Sequence, residues 1–573
     1  MTEVKAPWLK SIGDMPASIE YFDGSMYEAV HEIAKKYPEL IAYDFMGSNI
    51  TYKQFIRQVM RCARALRNIG IVPGDRVTII MPNAPQTLIM FYAVNMIGAV
   101  SNMVHPLSSE KEIEFYISFS KSRATLALDQ TWPRLEKVLK NIRIPNLIIS
   151  GIGDGLAPAK RAAFSMVQWF KGVRIPDDAP VVRWPDFIKA GDGFKTKFWA
   201  KRNADDPAAI LYSGGTTGKN KGIALSNYNF NALAAQIVAV NEMFRPGDKM
   251  LAVMPMFHGF GLGVSIHSML ANGGHCILIP IFNAESYAEL LKKHQPNFIA
   301  GVPTLYEALL RLPSLDDVDL SCLKGVFSGG DSLSIELKKR FDEFLAKHNA
   351  HIKVREGYGT TECVTASCLT PPHMAKVGSI GIPFPDTFYK IVKPGTAEEV
   401  PYGEEGEICL SGPTVMLGYV DEPEETANTL RRHKDGMLWL HTGDLGMMDD
   451  EGFIYFRQRI KRMIVTSGYN VYPSQIENIL DANDFVHMSC VIGIPDPYKM
   501  QRVKAFVVLK PGFKPSEEIE AAILAYCEKH VAKYAMPKEI EFRESLPKTL
   551  VGKVAYRELE AEEAAKREKS KAE

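Results

Sequence analysis

The run Tyr212-Ser213-Gly214-Gly215-Thr216-Thr217-Gly218-Lys219-Asn220-Lys221-Gly222 constrains this chain more than any other segment. It follows a short apolar stretch, Ala208-Ala209-Ile210-Leu211, and crowds glycine, threonine and lysine into one loop. Glycines let backbone N–H groups turn toward an anion, hydroxyls donate or bind a metal, and lysine supplies charge. The composition is that of a phosphate cradle. It is not the Gly-x4-Gly-Lys-Ser/Thr loop, because Asn220 follows Lys219 and Ser213 stands five residues before Gly218.

At 573 residues the chain is too long for one ordinary core, so two or more domains are expected. Lys+Arg and Asp+Glu both count 67. That balance gives no basic footprint for nucleic acid. The 8 cysteines are scattered without a CxxC pair, which points to reduced thiols in a cytoplasmic protein. The first residues lack the apolar core of a signal peptide. The most apolar stretch, 87–100, includes Asn95 and is too short to span a bilayer, so it reads as a buried helix.

Short β-rich runs alternate with helical patterns: strands are expected at 76–81, 146–149 and 298–302, and helices at 86–97 and 303–312. Such alternation argues for parallel sheets covered by helices. From Phe388 to Gly412 shorter strands and turns suggest a β-rich subdomain. A boundary is expected at Arg459, dividing a large domain, 1–459, from a small α+β domain, 460–573. The charge-rich end, 558–573, reads as a solvated helix or tail. Residues 156–173 carry Phe164, Trp169 and Phe170 beside Lys160, Arg161 and Lys171. They fit a basic amphipathic helix on a membrane surface or an excursion packed on its own domain. The packed reading is favoured, because such patterns are common in core-facing helices.

Further motifs follow in order. They are Met256-Phe257-His258-Gly259, Ser328-Gly329-Gly330-Asp331, Glu356-Gly357-Tyr358-Gly359-Thr360-Thr361-Glu362 and Thr442-Gly443-Asp444. Then come Arg459-Ile460-Lys461, Ser467-Gly468-Tyr469-Asn470-Val471-Tyr472-Pro473 and Leu546-Pro547-Lys548 with Val551-Gly552-Lys553. The set resembles the adenylate-forming superfamily of acyl-CoA synthetases, adenylation domains and luciferases. Within it the chain looks most like bacterial long-chain fatty-acyl-CoA ligases.

That resemblance implies an ATP-dependent acyl-CoA ligase using Mg2+ and CoA, with a mobile small domain. It places the β- and γ-phosphates on 213–221, with Ser213, Gly214, Gly215, Thr216, Thr217, Gly218 and Lys221 in the cradle. It gives the metal to Glu362 and Thr217, the adenine pocket to Tyr358 and 328–331, and the ribose hydroxyls to Asp444. The remaining Gly357, Gly359, Thr360 and Thr361 belong to the nucleotide loop. Arg459 would touch the ribose or phosphate. His258 would stand beside the acyl carboxylate, with the acyl chain running toward Gly325-Val326-Phe327. Lys553 would bridge that carboxylate and the α-phosphate. Lys461 would be the hinge, and Ser467, Gly468 and Tyr469 would line the path of the CoA thiol. Three departures stand out: Gly214 where many relatives carry a hydroxyl, Asn220 in place of proline, and Met500-Gln501 in place of Gly-Glu. The last puts part of the CoA surface in doubt.

The preferred substrate is a medium- to long-chain fatty acid. An aryl-CoA ligase and a free-standing adenylation enzyme loading a carrier-protein thiol are the alternatives. A ligand sensor without turnover fits poorly with Lys553, Glu362 and Asp444 together, and the Gly-x-Ser-x-Gly signature of a hydrolase is absent.

Overall fold

The computed structural model describes residues 4–156, 173–213, 220–466, 469–496, 498, 500–549 and 553–572. The predicted α/β architecture is present. Among these residues two large, mostly parallel sheets carry the bulk of the chain. One has eight strands and includes Arg76–Ile80, Val100–Val104 and Pro207–Ser213. The other has nine and includes Phe298–Gly301, Gly325–Ser328 and Val354–Tyr358.

The strands read as near-continuous apolar runs because helices cover both faces. In Arg76–Ile80 every residue after Arg76 is buried. The helix Pro85–Met96 is buried on all sides, as its even apolarity predicts. Pro85 opens it, where a missing N–H costs no hydrogen bond. The helix Tyr52–Asn68 begins with a capping box, in which Thr51 and Gln54 satisfy each other's backbone N–H groups. It turns Phe55, Ile56, Val59 and Ala63 inward at the helical period.

A five-stranded antiparallel sheet follows, built from Phe388–Val392, Gly406–Ser411, Leu430–Arg432, Leu438–Met448 and Ile454–Arg459. The expected β-rich subdomain is this sheet, extended to Arg459. Beyond it a second five-stranded sheet has its own apolar core, centred on Val491, Val503, Ala505 and Ile523. The C-terminal segment forms the helix Tyr556–Ala572, one of the two forms expected, but it is not solvated all round as its charges suggest. Leu559 is fully buried, and Glu563 Oε1 lies 2.8 Å from Lys504 Nζ. Residues four apart share one helix face. That face packs on the strand Val486–Asp496, so only the rest of the charge faces solvent.

Two neighbouring strands of the nine-stranded sheet set the position of the site. Gly325–Ser328 ends where Gly329-Gly330-Asp331 begins, and Val354–Tyr358 ends at Tyr358. Ligands of open α/β sheets bind outside the carboxyl ends of strands.

Candidate active site

An apolar cavity opens beside these strand ends. Phe244, Met250, Phe260, Val264, Phe298 and Phe327 line it, with Gly329, Gly330 and Gly357 at its polar end. One wall is the π-helix Phe260–His267, a geometry frequent at functional sites. Gly259 lets that wall approach the loop after Glu362. A Cβ there would fall 1.7 Å from the Val364 carbonyl oxygen. Val364 itself has φ 64 and ψ −59, and the Thr365 N–H donates to the Cys363 carbonyl at 2.8 Å. That is a γ-turn, strained for a β-branched residue.

His258 lies two residues before the lining residue Phe260. Its Nδ1 accepts the Phe260 N–H at 3.2 Å, so the neutral ring carries its proton on Nε2. Burial, and then the charge of Lys553, lowers the imidazole to about 4. Lys553 is half-buried, with Asp331, Arg459 and Asp444 near it. Burial pulls its ammonium below the ordinary lysine value, against the opposing pull of Asp331. The Lys553 N–H donates to Thr549 Oγ1 at 3.1 Å, and Lys548 bridges Val554, which ties the ends of the lysine loop together. A Cβ on Gly330 would come within 3.8 Å of Lys553 Cε.

Asp444, 2% exposed, stands near Lys553. Tyr358 donates its phenol proton to Asp444 Oδ2 at 2.6 Å. Arg459, its register partner across the sheet, brings Nε to 3.3 Å from Oδ1 without hydrogen-bond geometry. Oδ1 is therefore a buried oxygen with no hydrogen-bond partner among the described residues. Burial raises the Asp444 carboxyl above its ordinary value, although Arg459 and Tyr358 pull it down. Ser328 Oγ is a second buried orphan, at the end of its strand. Buried polar groups of this kind call for a ligand that satisfies them.

Glu362 lies on the short turn Thr361–Cys363, where it accepts the Tyr419 hydroxyl at 3.0 Å. Lys221 pairs with Glu425, and its ammonium stands 4.9 Å from the centre of the Tyr419 ring.

Matches to known proteins agree with this arrangement. Residues 30–420 match the AMP-binding enzyme family and residues 475–553 its C-terminal domain. The chain belongs to the AMP-binding enzyme family. This AMP-binding enzyme is 34% identical to a long-chain-fatty-acid–CoA ligase of Bacillus subtilis, over 97% of this chain and 98% of that protein. It is 31% identical to a ligase of the same description from Salmonella typhimurium, over 98% and 99%. Its structure is similar to ATP-bound MatB from Rhodopseudomonas palustris, with a TM-score of 0.81 and 26% identity over 95% and 99% of the two chains.

In this AMP-binding enzyme, then, Lys553, Asp331, His258, Tyr358, Asp444 and Arg459 converge from segments far apart in sequence. Gly359 is held by contact, since a Cβ would fall 2.0 Å from the Thr365 carbonyl oxygen. Thr360 caps the Glu362 turn. Lys461 is exposed on the short turn Ile460–Arg462, just beyond Arg459. Ser213 ends its strand at the edge of the cradle. Gly214, Gly215, Thr216, Thr217, Gly218, Ser467 and Gly468 lie outside the described residues, as does the side chain of Tyr469 and the stretch 157–172. Two members of the site were not singled out from sequence, Tyr419 and Glu425. The tyrosine follows Gly418 and the glutamate sits among other acids, so neither carries a local signal.

Proposed function

We infer that this enzyme is an AMP-forming acid–CoA ligase whose acid is a medium- to long-chain fatty acid. One observation carries the reading: the half-buried Lys553 and the neutral His258 stand at the junction between Gly330 and Phe260 of the apolar cavity and the nearby Asp444. A carboxylate lodged at that junction has its chain in the cavity and its oxygens beside a cation and a neutral N–H donor. The relatives named as long-chain-fatty-acid–CoA ligases support the same substrate class.

The chemistry proceeds in two displacements. A carboxylate oxygen attacks the α-phosphorus of ATP, the bond to the β-phosphate oxygen breaks, and pyrophosphate leaves. The CoA thiol sulfur then attacks the acyl carbonyl, the carbon–oxygen bond to AMP breaks, and the thiol proton passes to solvent. Lys553 stabilises charge on the carboxylate and α-phosphate in the first step. The His258 Nε2–H orients the carboxylate. Asp444 Oδ1, ion-paired with Arg459 but with no hydrogen-bond partner among the described residues, accepts from the ribose hydroxyls, and Tyr358 lies against the base together with Ser328, Gly329 and Gly330. The cradle from Ser213 to Lys221 takes the terminal phosphates. Mg2+, a hard cation that prefers oxygen ligands, would be held by Glu362 and Thr217 and would neutralise phosphate charge.

Lys553 occupies space that the thiol needs, so the two steps call for two placements of the small domain. We place the boundary between 459 and 460, with Lys461 as the hinge and Ser467, Gly468 and Tyr469 lining the thiol's path. Hinges are a few residues that absorb the backbone change.

Pyrophosphate release across a panel of fatty, aryl and amino acids, with and without CoA, tests the reading. Fatty acids turning over only with CoA present support it, whereas preference for an aryl acid or for a carrier-protein thiol overturns it. No helix among the described residues is long and apolar enough to cross a membrane. Contact of 156–173 with an anionic membrane surface, through its basic and aromatic residues, is the alternative to the favoured packed reading. Co-sedimentation with anionic vesicles, lost on changing Trp169 and Phe170 to Glu, checks that contact.

A further inference from the structure

The carboxylate that faces the ribose sits on an irregular piece of backbone. In the subdomain sheet Cys409 pairs with His441 and Glu407 with Leu445, so Thr442, Gly443 and Asp444 all oppose the single residue Ile408. The strand bulges outward there, and bulges re-aim side chains at the cost of ladder hydrogen bonds. Side chains supply the missing partners. Thr442 donates its hydroxyl to the Ile408 carbonyl at 2.7 Å and accepts the Asp444 N–H at 3.1 Å. Gly443 has φ +69, and its N–H donates to Glu407 Oε1 at 3.1 Å.

Glu407 is itself held. It is buried, and its Oε2 accepts from His441 Nδ1 at 3.0 Å. An ionised carboxylate can only accept, so His441 donates from Nδ1. His433 Nε2 lies 2.9 Å from His441 Nε2, close enough for the two rings to share one hydrogen bond. Burial pushes the Glu407 carboxyl up, but the bond and charge of His441 together with the Gly443 and Gly395 N–H groups outweigh it and leave the carboxyl below its ordinary value. Ligand atoms of Glu407, Cys409 and His441 lie within 4.8 Å of one another. Yet both Glu407 oxygens already take N–H donors, which fits a clamp better than a cation site.

We propose that Glu407 is a positioning residue for nucleotide binding: its carboxylate, oriented by His441 and His433, holds the Thr442–Asp444 bulge so that Asp444 presents Oδ1 to the ribose hydroxyls. The proposal rests on the ligase reading above. Glu407 touches neither nucleotide nor acid in this scheme and acts only through Gly443.

Calorimetric affinity for ATP and for 2′,3′-dideoxy-ATP, with acid-activation kinetics for both, tests it on the full chain. Wild type should prefer ATP. Glu407→Gln puts an amide N–H against the His441 donor or withdraws the acceptor from Gly443. It should weaken ATP binding by about tenfold, the scale of one hydrogen bond to a charged group, and leave dideoxy-ATP binding nearly unchanged. On an Asp444→Ala background the same change should have almost no further effect. If Glu407→Gln does not fold, His441 carries the same test. His441→Asn keeps an N–H near the Nδ1 position and should retain the preference for ATP, whereas His441→Leu should lose it. Equal losses for ATP and dideoxy-ATP, or full additivity with Asp444→Ala, overturns the proposal. A wild type that releases pyrophosphate yet does not distinguish the two nucleotides overturns it while leaving the ligase reading intact. No pyrophosphate release with any acid overturns both.

Discussion

The phenol of Tyr358 donates to Asp444 Oδ2 at 2.6 Å, which joins the end of one sheet's strand to the bulge of another. Tyr358→Phe leaves a carboxylate that is 2% exposed with a second unsatisfied oxygen. The cost should be about 1–3 kcal/mol of stability, with weaker ATP binding in the same variant. Denaturant unfolding and nucleotide calorimetry on one preparation check both.

Glu362→Gln removes the carboxylate assigned to the metal. Its effect should grow as Mg2+ becomes limiting, and the loss in ATP use should exceed any change in acid binding. Several kcal/mol of transition-state stabilisation are at stake when a metal-bound charge is lost. Wild-type rates at limiting Mg2+ would sink the assignment.

Two variants should separate the half-reactions. Lys553→Ala should lose acyl-AMP formation yet convert supplied acyl-AMP to acyl-CoA. Lys461→Pro fixes φ near about −65° and should form acyl-AMP but stall at the thioester. Equal losses in both steps for both proteins would rule out a moving small domain.

With the acyl chain placed in the cavity as proposed, the cavity should set chain length. Val264, buried on the π-helix, lines it. Val264→Phe should exclude roughly two methylenes, worth about 0.8 kcal/mol each, and so lower kcat/KM for long-chain acids about tenfold while sparing hexanoate. A uniform loss across chain lengths would move the acyl chain elsewhere.

His267 gives the fold a dependence on pH. It is fully buried, with Nδ1 2.9 Å from the Tyr92 hydroxyl and Nε2 2.9 Å from Asn231 Oδ1. Burial lowers it to about 3. The unfolded chain binds a proton below its ordinary pKa of about 6.5 while the folded chain does not, so stability is full above that pH and falls as pH drops toward 3. At pH 5 the loss from this site should be on the order of 2 kcal/mol. His267→Gln should flatten thermal stability between pH 6.5 and 5. An unchanged slope would mean that the ring titrates normally.

Local chemistry was enough to read much of this protein. The buried strand at 76–80, the all-apolar helix after Pro85 and the glycines at 329, 330 and 359 follow from periodicity and from backbone conformations or close approaches that side chains disfavour. The order of the motifs likewise pointed to the pieces of the site. Tertiary structure alone decided how those pieces meet. Asp444 has an orphan oxygen because a two-residue register slip turns its strand and because Tyr358 arrives from another sheet. Glu407 looks like one more acid in Gly403-Glu404-Glu405-Gly406-Glu407, and only its distance to Gly443 and His441 distinguishes it. The same holds for Leu559 and Glu563, whose buried face the charge of the last helix conceals. Periodicity is a property of neighbours along the chain, whereas register, bulges and buried polar partners arise between segments tens of residues apart.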